Sequence, residues 1–114
     1  MKISILLPYK ENFSPDYPGA VSLFVYETSR FSIFRKSITV FGSTYIKKKF
    51  PIRYNNIELN KSILKSQTKS YVNKFISIEK KSNSSIIEIH NRPSYVNIID
   101  SKISHKIFSL YFHN

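Results

Sequence analysis

Two histidines close apolar runs: His90 ends Ile86-Ile87-Glu88-Ile89-His90, and His113 follows Leu110-Tyr111-Phe112. An imidazole changes charge near neutral pH, so such a ring can bind a phosphate or a hydroxyl, or steady a developing charge. Asn91, Arg92 and Asn114 adjoin the two histidines, and the fork of Arg92 suits an anion. Gly19 stands just ahead of a helical run, where a missing side chain lets a ligand approach a helix N-terminus closely. Each residue also has a plainer reading. A histidine closing a strand bonds a neighbouring backbone group, a lone glycine starts a helix, and Arg92 pairs at the surface. Glu11 and Asp16 read as solubilising residues of a long loop, since a general base needs a shaped pocket. Glu88 alternates with apolar neighbours and needs a partner or a solvated face. His105, in a polar turn, reads as solvated. The histidine spacing matches no metal-ligand motif, so no metal is expected.

These residues owe their placement to alternating elements. Residues 2–7 read as a buried strand, and Pro8, Pro15 and Pro18 keep residues 8–19 irregular. The spacing at 21, 24, 25, 28 and 31 predicts a helix over 20–34, with Phe24 and Phe31 in its core face. Residues 37–41 form a second strand, ended by Gly42-Ser43, and a short strand is expected around 57–59. Asn60 or Ser62 caps a long helix over 61–81. Its buried face carries Ile63, Leu64, Thr68, Tyr71, Val72, Phe75, Ile76 and Glu79. Residues 86–90 form a strand, Pro93 opens a helix reaching to about 100, and 106–112 form a last strand. This order predicts an α/β domain over 1–114 with a mostly parallel sheet. Ligands of such sheets lie beyond the strands' carboxyl ends. Those ends are Tyr9-Lys10, Gly42-Ser43, His90-Asn91-Arg92 and His113-Asn114.

Composition narrows the chemistry. The 114 residues suffice for one compact domain. No apolar run reaches the ~20 residues of a membrane-spanning helix. Cysteine is absent, which removes disulfides, thiolate metal sites and Cys nucleophiles and agrees with a reducing cytoplasm. Two glycines exclude a P-loop and a G-x-G-x-x-G fingerprint. The net charge is +11, yet Lys outnumbers Arg 14 to 4, and Ile, Lys and Asn together make 40 residues. Part of the basic surface is therefore compositional, since selected phosphate grips favour Arg. The field still favours anionic partners. Lys47, Lys48 and Lys49 read as a solvated loop that would also suit an acidic membrane surface.

Three segments in order resemble the N-terminal domain of the family 4 glycosyltransferases, which have the GT-B fold. Pro18-Gly19-Ala20-Val21-Ser22 looks like the glycine loop between that family's first strand and first helix. Ile-Ile-Glu-Ile-His-Asn-Arg-Pro-Ser-Tyr (86–95) looks like its strand ending in a histidine before a helix. Leu-Tyr-Phe-His-Asn (110–114) looks like the next strand, whose terminal histidine lies at the active centre.

The resemblance implies an incomplete Rossmann-like three-layer domain. It would be the acceptor-side half of an enzyme that moves a sugar from a nucleotide-sugar donor to a glycan or lipid-linked acceptor, with retention and without a metal or other cofactor. His113 would be catalytic, beside the transferred sugar. Gly19 would approach donor phosphates or acceptor, and His90, Asn91, Arg92 and Asn114 would bind substrate. Family members are two domains long, so the donor domain would lie in a missing C-terminal part or a partner chain. The half alone would be inactive, cytoplasmic, placed peripherally at the inner membrane face, and prone to self-association through uncovered edges. The rival reading is a small basic α/β module that binds nucleotides or nucleic acid.

Overall fold

A computed structural model describes residues 1–60, 66–103 and 106–113. Its five strands are β1 (Ile3–Leu6), β2 (Ile38–Gly42), β3 (Tyr54–Asn56), β4 (Ile86–His90) and β5 (Ile107–Tyr111). They form one sheet in the order β3-β2-β1-β4-β5, and every pairing is parallel. The chain builds outward from β1 to β3, then returns to the other side of β1 for β4 and β5. The strand order therefore reverses between β1 and β4, the position where α/β sheets open a crevice at their carboxyl ends.

A parallel sheet needs cover on both faces, so its central strands are mostly apolar. Ile5, Leu7, Ile38 and Val40 point to one face and pack with Val21 and Val25 of α1 (Ala20–Arg30), and with Phe13 and Phe50 from loops. Leu6, Phe41, Ile87 and Ile89 point to the other. They pack against Tyr71, Val72, Phe75 and Ile76 of α2 (Gln67–Ser82) and Tyr95 and Ile99 of α3 (Pro93–Asp100). The result is a three-layer, Rossmann-like α/β arrangement. No helix among the described residues is long and apolar enough to cross a membrane.

Three expected boundaries move, each for a local reason. Helix α1 stops at Arg30 rather than 34. The Ser32 hydroxyl accepts from Phe34 N at 3.0 Å, a local turn that competes with helix. A short 3₁₀ turn, Arg35–Ser37, then leads into β2. The buried face of α1 is Val21, Ser22, Val25 and Ser29, so Phe24 and Phe31 are not core residues; Phe31 is 75% exposed beneath the Arg30 guanidinium. The third strand is Tyr54–Asn56, not 57–59. Ladder bonds from Val40 N to Arg53 O and from Ile57 N to Gly42 O hold a polar edge strand, after which Ile57 turns into the core. Helix α2 is capped by Ser66, which accepts from Lys69 N, rather than by Asn60 or Ser62. Thr68 is exposed. The expected first turn of that helix, with Ile63 and Leu64, lies outside the described residues.

The one polar side chain in β1, Ser4, meets a buried carboxylate. Glu79 is fully buried and accepts from Ser4 Oγ (3.0 Å), Ser82 Oγ (3.1 Å) and Ser84 N (2.7 Å). Lys106 Nζ lies 3.9 Å from it. Removing one partner of such a set strands the others without water. Glu79→Ala is expected to cost about 3–5 kcal/mol, read as a lower urea midpoint with an unchanged slope.

Candidate functional site

The carboxyl ends of β4 and β5 bring the two predicted histidines into direct contact. His90 Nδ1 and His113 Nε2 are 2.8 Å apart, and His90 Nε2 is 2.8 Å from Glu88 Oε2. The carboxylate only accepts, which assigns the His90 proton to Nε2. With that as its one proton, His90 accepts at Nδ1 from the Nε2–H of His113. The bare nitrogen of the pair is His113 Nδ1, which makes no hydrogen bond among the described residues. One proton added there leaves both hydrogen bonds intact and links the new charge through His90 to Glu88.

Packing fixes these rings. Tyr111 stacks on His90 at 5.0 Å and 9°. Phe24 of α1 meets His113 edge-on at 4.9 Å and His90 at 6.0 Å. This is the place of the helical aromatic that the core does not take. His90 is fully buried, so it reaches a ligand only through His113, which is partly exposed. The resemblance has His90 lining the acceptor side; in the structure it lies beneath His113.

Asn91 is the clamp of the pair. It sits in the left-handed region with φ 55°, which Asn tolerates. Its N–H donates to Tyr111 O at 2.8 Å, and its Oδ1 accepts from His113 N at 2.6 Å. Arg92, exposed at the start of α3, turns Nη1 back onto Asn91 O at 2.8 Å. Asn114 and His105 lie outside the described residues. Gly19 stands at the N-terminus of α1, but the space beside it is filled: a Cβ there would lie 1.7 Å from Glu11 Oε2. That same oxygen accepts from Ser22 N at 3.0 Å. Glu11, read from sequence as a solubilising residue, occupies the anion position of the helix.

A crevice of about 820 Å³ opens along the same sheet edge, at the ends of β1, β2 and β3. It is lined by Tyr9, Lys10, Asn12, Thr44, Tyr45 and Asn56, among others. None of Gly19, His90, Asn91, Arg92 or His113 is among its lining residues. Asn56 Oδ1 accepts from Thr44 N (2.9 Å) and from Tyr54 Oη (2.8 Å). Its amide NH₂ has no acceptor among the described residues. Burial pushes the Tyr54 hydroxyl up, so it remains a donor. Thr44 Oγ1 donates to Asn12 Oδ1 at 2.7 Å. Fixed amides and a hydroxyl beside aromatic rings suit a neutral, hydroxyl-rich ligand. The strand ends Tyr9-Lys10 and Gly42-Ser43 were legible from the order of elements. Asn12 and Asn56 were not, because no spacing links loops that only the sheet brings together.

Among the described residues no group of three or more His, Asp or Glu could hold a metal ion. Comparisons with protein-family models, with curated proteins and with solved structures find no match.

The hydrogen-bond direction is testable. Nitrogen-15 NMR is expected to show both histidines as Nε2–H tautomers, and Glu88→Ala is expected to turn His90 into a tautomer mixture. An unchanged His90 spectrum in that variant would contradict the chain of donors drawn above.

Proposed function

We propose that this chain is the acceptor-side half of a glycosyltransferase. The observation that carries the reading is the Glu88–His90–His113 chain, whose one bare nitrogen belongs to a partly exposed side chain at a strand carboxyl end. The ordered resemblance of residues 18–22, 86–95 and 110–114 supports it, as does the polar crevice on the same edge. In this reading the glycan or lipid-linked acceptor lies along the crevice, held by Asn12, Thr44 and Asn56. A donor half, in further sequence or a partner chain, holds the nucleotide-sugar. His113 accepts a hydrogen bond from a hydroxyl of the transferred sugar, and the chain to Glu88 steadies the charge that develops in transfer. Arg92 borders the acceptor, and the resemblance gives Asn114 a substrate-binding role as well. Gly19 serves a phosphate only when Glu11 swings away.

Two faces await a partner. Ile107 (64%), Tyr111 (41%) and Phe112 (71%) of the β5 edge are exposed, as are Leu23 and Phe24 of α1. They suit a second domain docking there or, without it, self-association. The lysine loop suits a peripheral place on an anionic membrane surface.

Three measurements test the reading. Neutral oligosaccharides titrated into the labelled chain are expected to shift the amides of Asn12, Thr44 and Asn56, with no turnover of nucleotide-sugars. No response to any glycan, with steeply salt-dependent binding of a DNA oligonucleotide, would favour the basic binding module instead. When a donor half is supplied, His113→Ala is expected to lower kcat about 10²-fold or more. In the chain alone, Ile107→Lys is expected to shift light scattering toward monomer.

A further inference from the structure

The amino end of the sheet holds a second pocket, of about 420 Å³, at the opposite edge from His113. Three cationic side chains line it: Lys2 just before β1, Lys36 in the 3₁₀ turn before β2, and Arg53 just before β3. They converge because β3, β2 and β1 are neighbours in the sheet and begin side by side. The Arg53 guanidinium is tied in place by one bond, Nη1 to Lys36 O at 3.3 Å, and Lys2 Nζ donates to Ser82 O at 3.1 Å. The Lys36 ammonium has no protein partner among the described residues, and the hydroxyls of Ser37 and Thr39, which also line the pocket, are likewise unbonded.

No carboxylate lines this pocket. Glu79 lies behind Ser4 and Ser84, where its oxygens are taken by hydroxyls and a backbone N–H and its charge faces Lys106. The Lys2 ammonium also meets the last turn of α2, so the negative end of that helix is answered too. The surplus is therefore cationic donors held around one cavity, with two neutral donors between them. Three like charges repel; a compact oxyanion with several charges relieves that repulsion and uses every donor. A lone chloride would leave most of the donors idle.

We infer that this pocket binds a soluble diphosphate-class anion. The site is separate from His113 and from the carboxyl-edge crevice, and the inference stands whether or not the glycosyltransferase reading does.

Calorimetric titration of the full chain with inorganic pyrophosphate, at near-physiological salt, tests it. Saturable one-site binding is expected. Lys36→Ala and Arg53→Ala are each expected to weaken it about tenfold, roughly the worth of one charge-assisted hydrogen bond. Both residues are exposed, and circular dichroism checks that the variants remain folded. Lys47→Ala with Lys48→Ala removes charge from an exposed loop elsewhere, and His113→Ala alters the other edge; both are expected to leave the affinity within about twofold, as for surface changes remote from a site. No saturable binding would overturn the inference. So would equal weakening in the Lys47/Lys48 variant, which would mean a diffuse field. Equal competition by single-stranded DNA at matched phosphate would also overturn it, because the surface would then track a polymer backbone.

Discussion

A buried hydroxyl holds the carboxyl edge of this sheet together. Parallel strands share no hairpins, so each one leaves the sheet into its own loop and nothing local keeps neighbouring ends in line. Tyr71 of α2 reaches across the core and donates to Leu7 O at 2.7 Å, with Phe41 O at 3.3 Å. Burial, with Tyr95, Tyr54 and Glu11 adding to it, pushes the Tyr71 hydroxyl well above its ordinary range, so it stays a donor. Tyr95 of α3 extends the same device by accepting from Tyr9 N at 3.1 Å. The ends of β1 and β2, from which the crevice is built, are thus pinned by helices on the far face of the sheet. On the other side of β1, Asn91 does the equivalent for β4 and β5 and so aligns the two histidines.

The two faces of the sheet are unequally covered. Helices α2 and α3 close one of them, and the apolar side chains there are almost fully buried. On the other face, α1 and the loops carrying Phe13 and Phe50 cover β1 and β2. Beyond Phe24 the outward side chains of β5 stand in water. The histidine pair lies at the border between the covered and uncovered parts. Its inner ring is fully buried and its outer ring partly exposed.

Element order and type were legible because every strand but β3 is a short apolar run between polar or proline-marked segments. Residues 86–90 were placed to the residue and the helix from Pro93 to about its end, since Asn91 and Pro93 punctuate them. Phe24 misled because helical spacing marks a stripe about 100° wide without saying which of its borders meets the sheet. The β3 edge misled because its pairing rests on backbone bonds, and its side chains read Tyr-Asn-Asn. The histidine pairing could only be half read. Strand ends located both rings on one edge, but their contact depends on β4 and β5 being neighbours in register, with His90 opposite Tyr111.

Glu11 and Gly19 form a matched pair across the first loop. The carboxylate fits against α1 only because no Cβ stands in its way, and the glycine is needed only while a side chain as long as Glu rests there. Neither position is free to drift alone. An alanine at 19 would expel the carboxylate and leave the Ser22 N–H without its acceptor. A shorter side chain at 11 would leave a cleft beside the helix. Among sequences that keep this loop, the two positions should vary together, and a chain that had lost both would present an open helix N-terminus where this one is already filled.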